Sequence, residues 1–132
     1  MPSLYHEIEI ALPPEDIWDA ARDVGALHTR LVPGFVTATE MLPDVAVPTR
    51  RVTFANGAVA DEVIVTIDDE RRRLVWSVQG VEHHNGALQI LPSANGARVT
   101  WTADVLPADF AERIAPMMAA GLQRMKAHLE AI

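Results

Sequence analysis

The sequence predicts an α+β fold: a curved antiparallel sheet of about seven strands wrapped around one long C-terminal helix, with two short helices after the first strand. Three observations predict it. Most of the chain alternates apolar and polar residues with the period of two expected of half-buried strands. Turn signals rich in Gly, Asn, Asp and Pro cut that stretch into short segments. Residues 108–132 change period, with apolar residues every three or four positions at Phe110, Ile114, Met117, Met118, Gly121, Leu122, Met125, Leu129 and Ile132. An antiparallel meander cannot cover its own apolar face, and the chain offers one long helix to do so. The sheet must therefore curve around that helix.

The elements follow in order. Residues 4–11 alternate, with Leu4, His6, Ile8 and Ile10 on one side and Tyr5, Glu7 and Glu9 on the other. Pro13-Pro14-Glu15-Asp16 starts a helix, since proline is tolerated in a first turn and acids are favoured at the positive end. Ile17, Trp18, Ala21 and Val24 form its inner face, and Gly25 is placed to cap its C-terminus. A second short helix over 26–31 ends before Pro33-Gly34. Strands are then expected at 35–41, 50–55 and 59–67, the last two flanking the hairpin signal Asn56-Gly57. Asp68-Asp69-Glu70 turns the chain into a strand carrying Leu74, Trp76 and Val78. Residues 83–91 follow, then the Ser93-Ala94-Asn95-Gly96 turn and a last strand with Val99, Trp101, Ala103 and Val105. Pro116, inside the closing helix, is expected to kink it or to mark where its regular part begins.

Composition narrows the function classes. A chain of 132 residues is expected to form one domain, 1–132. The formal net charge of −7 argues against nucleic acid or an anionic membrane as main partner. Without cysteine there is no disulfide framework, thiolate metal site or thiol nucleophile. No apolar run approaches a membrane span and MPSLYHEIEI lacks the order of a signal peptide, so the default expectation is a cytoplasmic protein.

Order and residues together resemble the START-like or SRPBCC superfamily, the polyketide cyclase/dehydrase and lipid-transport group. The matching segments are ALPPEDIWDAARDVGAL, RRVTFANGAVADEVIVTIDDERRRLVWSVQG, NGARVTWTADV and GLQRMKAHLEA. The resemblance implies a helix-grip fold, with an apolar ligand held in a cavity between sheet and closing helix. The pliable stretch of that helix, Met117 to Met125, then reads as a ceiling over a ligand, with space between Gly121 and Trp76; without the resemblance it reads as core before it reads as a cavity wall. DDERRRLVWSVQGVEHH, with Glu62 upstream, is also similar to the plant abscisic-acid receptors. There the matching Glu and the aromatic matching Trp76 line the pocket, and the Glu-His pair belongs to a latch loop. The tight Asn56-Gly57 turn stands where those receptors have a longer gate loop, so no hormone sensing is inferred.

The candidate residues are few. A two-residue turn at Asn56-Gly57 places Arg51 opposite Glu62. Such a pair is either a surface pair or an inward clamp for a ligand carbonyl or hydroxyl, and alternation leaves the facing open. His83 and His84 are adjacent, so in a strand they point to opposite faces. An inward His84 or His83 would serve as general acid or base beside Glu62 and Arg51. Trp76, Val78, Trp101, Met117, Gly121, Met125, Phe35 and His28 complete the ligand-lining set. Histidine spacing gives no expectation of a metal, and no cofactor motif is present.

Three functions stay in play. The first is binding of a small hydrophobic or amphipathic molecule such as a lipid, polyketide, isoprenoid or aromatic metabolite. The second is a polyketide cyclase/dehydratase-type enzyme in the same cavity, and the third a co-chaperone-like protein-interaction domain. The expected state is a monomer or homodimer.

Overall fold

The computed structural model describes residues 2–132. Strand β1 (Ser3–Ile10) leads into helix α1 (Pro14–Ala21), a 3-10 turn (Val24–Ala26) and a π-helical turn (Leu27–Leu31). Strands β2 (Val36–Met41), β3 (Thr49–Phe54), β4 (Val59–Asp68), β5 (Arg73–Val78), β6 (His83–Ser93) and β7 (Gly96–Leu106) follow. A 3-10 turn (Ala108–Phe110) then opens α2 (Ala111–Glu130), which runs unbroken through Pro116. The strands form one antiparallel sheet in the order β1-β7-β6-β5-β4-β3-β2. Register shifts in β2, between Val36 and Ala38, and in β4, between Ile64 and Thr66, add the local twist that bends a sheet.

Helix α1 is shorter than the sequence suggests, ending at Ala21 with Arg22 as its C-cap. Gly25 does not cap it; a side chain there would press on Met41. The α1 end is fixed instead by a polar contact with the β4–β5 turn. The Trp18 indole N–H and the Arg22 guanidinium both donate to Asp69, at 2.8 and 2.7 Å.

Helix α2 packs against β1, β7 and the π-helical turn. Its buried stripe is Ile114, Met118, Gly121, Leu122, Met125 and Leu129. Each large apolar member contributes about 1.5–3 kcal/mol by leaving water, the usual reason a lone helix stays docked on a sheet. The core has two parts. Leu122, Met125 and Leu129 join the larger, with Ile10, Ile17, Trp76 and Val99, while Ile114 and Met118 pack on Ala103 and Val105. Trp101 touches both.

Among the described residues, no helix is long and apolar enough to cross a membrane.

Candidate functional site

The β3–β4 hairpin carries the first correction. Phe54 N–H donates to Ala58 O, and Gly57 N–H returns to Phe54 O, so the loop is Ala55-Asn56-Gly57 with Gly57 at φ +86°. This three-residue loop uses a left-handed glycine where a two-residue turn was expected. One extra loop residue shifts every cross-strand partner. Arg50 now faces Glu62, and Arg51 faces Asp61. Arg51 lies on the outer face, half exposed, in a two-bond pair with Asp61. It is not the partner of Glu62 and does not reach the interior.

Arg50 and Glu62 are instead buried together, their side chains 3% and 8% exposed. The Arg50 Nε donates to Glu62 Oε1 at 2.9 Å, and Nη1 donates to the Val24 carbonyl at 3.2 Å. The guanidinium also lies 5.7 Å from the Trp76 ring centre, within cation–π range. Burial pushes the Glu62 carboxyl above its ordinary range, against the lowering pull of Arg50. Val52 and Phe54 share the inner face with this pair, while Val63 and Val65 face out.

Two cavities meet at Glu62 and Phe54. The deeper is apolar, lined by Phe35, Trp76, Leu88, Trp101 and Met125 among others, and encloses only about 60 Å³. That is room for a few waters rather than an organic ligand. The second is a groove of about 780 Å³ between the β3–β4 hairpin, the β5–β6 loop and the first turns of α2. Its size lies within the range of small-molecule sites, roughly 300–1,000 Å³. Val78, His84, Phe110, Arg113, Ile114 and Met117 line it.

Each remaining candidate has a definite place. Of the helix ceiling, Met117 lines the groove and Met125 the small cavity. Gly121 lines neither. A Cβ there would sit 2.8 Å from Trp101 Cζ3 and 3.2 Å from Phe35, so the space expected between Gly121 and Trp76 is filled by the Trp101 indole. Trp76 and Trp101 lie with ring centres 6.0 Å apart, tilted at 59°. The Trp101 N–H has no acceptor among the described residues. His83 is exposed and bonds Asn85 on the outer face, outside the groove. His84, half-buried, packs edge-on against Phe110 at 6.0 Å between ring centres. Desolvation lowers the His84 pKa, and the neighbouring His83 adds to the shift. His28 sits on the π-helical turn and lines neither cavity; its Nδ1 is buried without a partner among the described residues. Among the described residues, no cluster of metal-ligating side chains occurs.

Arg50, Phe54 and Arg113 were not singled out from the sequence. Arg50 had a signal: it is in phase with the apolar Val52 and Phe54, whereas Arg51 is not. Arg113 borders Ile114 and Met117 on the helix surface, but only the fold reveals the groove beneath it.

The comparisons agree with this architecture. Protein XoxI from Bacillus cereus superposes with a TM-score of 0.82 at 15% identity, over 97% of this chain and 95% of that one. A protein from Thermobifida fusca gives 0.72 at 24% identity, over 99% and 91%. Norcoclaurine synthase from Thalictrum flavum gives 0.66 at 19%, over 97% and 92%. No curated protein sequence matches the chain. The family described as polyketide cyclase/dehydrase and lipid transport matches residues 1–130. A seven-stranded antiparallel sheet gripping one long helix, matched to that family over almost its whole length, identifies the chain as a member of the polyketide cyclase/dehydrase and lipid-transport family.

Proposed function

We propose that the protein binds a small hydrophobic or amphipathic molecule in the groove between the β3–β4 hairpin and the start of α2. The observation that carries this reading is the groove itself: about 780 Å³, walled mainly by apolar side chains, with one buried carboxylate, Glu62, at its inner end. An apolar ligand gains by leaving water there, and Glu62, the polar group at the inner end, offers an acceptor to a hydroxyl group. The neutral dye N-phenyl-1-naphthylamine tests it. Its fluorescence rises on binding, and Met117→Trp, which fills the groove, weakens that binding about tenfold by removing apolar contact. A flat titration in the native protein, or one unchanged by both Met117→Trp and Val78→Trp, removes this reading.

A second reading is acid–base chemistry on a bound ketone. One observation favours it: burial raises the Glu62 pKa, making it a stronger base, and lowers that of His84, keeping it neutral, and both line the same groove. On this reading Glu62 takes a proton from the carbon next to a carbonyl, forming an enolate. His84, one step beyond the last β5–β6 ladder pair, donates a hydrogen bond from its neutral imidazole N–H to the enolate oxygen, and the Glu62 carboxyl, after exchange with solvent, returns a proton to the carbon. Deuterium exchange at the α-carbon of ethyl 3-oxodecanoate, followed by NMR, is the measurement. The expected result is exchange above the buffer rate that falls about a hundredfold in Glu62→Gln and His84→Gln, the lower end of what a positioned acid or base supplies. Exchange at the buffer rate in the native protein leaves binding alone.

A further inference from the structure

The charge of the groove does not match the charge of the molecule. The chain carries a formal −7, yet the groove lining contains one carboxylate, Glu62, and that group is already paired with Arg50. The remaining ionisable lining residues are Arg113 and His84, both basic. Arg113 is exposed, and among the described residues no carboxylate lies within ion-pair reach of it. Most other arginines of the chain do hold a carboxylate: Arg22, Arg30, Arg50, Arg51, Arg71, Arg72 and Arg98. Glu82, Asp109 and Glu112 are near in sequence and exposed, but none lines the groove.

We infer that the ligand is an amphipathic anion, held with its carboxylate or phosphate at Arg113 and His84 in the mouth and its uncharged body running inward toward Glu62. This inference rests on the binding reading above and assigns its ligand class. The geometry sorts the two ends. An anion at the inner end would meet the Glu62 carboxylate, whereas at the mouth it meets a guanidinium with donors to spare. Field lines focused by the apolar walls of Val59, Val81 and Phe110 strengthen that attraction over its value in open water. A neutral headgroup gains only an ordinary hydrogen bond from Arg113, without the second charge, and a cationic one is repelled. The residue therefore sets selectivity between head groups of equal chain length.

Decanoate and 1-decanol, competing separately against N-phenyl-1-naphthylamine, isolate the head group because their alkyl chains match. Decanoate is expected to bind the native protein about tenfold more tightly than 1-decanol, a modest charge-assisted contact. Arg113→Gln removes that preference by weakening decanoate far more than 1-decanol, Arg113→Lys keeps part of it, and 0.5 M salt shrinks it. Equal binding of the two ligands in the native protein, no displacement by decanoate, or parallel losses for both in Arg113→Gln overturn the head-group inference while dye binding still stands. If the dye itself does not bind, the groove reading fails and this inference fails with it.

Discussion

Replacing Arg50 with methionine lowers the unfolding free energy at pH 7 by about 3–5 kcal/mol, because it strands the Glu62 carboxylate in the interior without its partner. The methionine keeps most of the aliphatic stem, so packing loss is small and the electrical term dominates. In the native protein the guanidinium satisfies Glu62, the Val24 carbonyl and the face of Trp76 at once. Removing both charges is a different matter. Arg50→Met combined with Glu62→Leu recovers most of the loss, since a buried ion pair costs about as much to desolvate as it returns. Chemical denaturation of native, single and double variants measures the cycle, and a double variant no more stable than Arg50→Met would refute the account.

The same variant has a pH signature with a fixed sign. The folded-state pKa of Glu62 is raised, so its contribution to stability is fully present below its ordinary value and is lost as pH rises through the raised one. Without Arg50 to oppose burial, that pKa rises further. The deficit of Arg50→Met relative to the native protein is therefore largest at neutral pH and shrinks as the solution is acidified toward the ordinary glutamate range. Asp61, Asp68, Asp69, Asp104 and Glu130 behave oppositely, with lowered pKa values and stability lost on acidification. Both proteins share those five groups, so they cancel in the difference. A deficit constant from neutral pH down through the ordinary glutamate range would show that removing Arg50 leaves the protonation of Glu62 unchanged, and the electrical account of the deficit would fall.

The element order was legible because periodicity is local. Alternation and the three-to-four repeat of α2 survive any tertiary arrangement, and so do the Gly-rich turns. The facing of Glu62 was not, because it depends on a single loop residue. Asn-Gly supports both a two-residue turn and a three-residue loop, and the choice exchanges Arg51 for Arg50. Two adjacent arginines hide the error, since either register gives Glu62 a cation. The position of the cavity was illegible for another reason. Where space remains between helix and sheet depends on how the two indoles pack, and each rests on a glycine of the following element, Trp76 on Gly86 and Trp101 on Gly121.

Those glycines yield the second large effect. Gly86→Val is expected to cost about 2–3 kcal/mol, the upper range for overpacking a core. A Cβ on Gly86 would lie 2.5 Å from Trp76 Cζ2 and 2.6 Å from Cε2, so the whole indole must move. Trp76 has little room to do so, with Trp101 at 6.0 Å on one side and the Arg50 guanidinium at 5.7 Å. Trimming the indole should therefore offset the insertion. Trp76→Leu alone opens a cavity and costs about 3–5 kcal/mol, taking loss of most of a tryptophan as comparable to its truncation. On the Gly86→Val background it costs less, by a coupling of about 1–3 kcal/mol expected for residues in contact. Gly121→Ala is the control. Its Cβ approaches the edge of Trp101 at 2.8 Å, but in a helix the alanine also gains about 1 kcal/mol of intrinsic propensity over glycine, which a strand position such as Gly86 does not offer. The loss in Gly121→Ala should therefore be smaller than that in Gly86→Ala. Strict additivity of Gly86→Val and Trp76→Leu would mean that the indole does not rest on Gly86, and the small inner cavity would need another explanation for its walls.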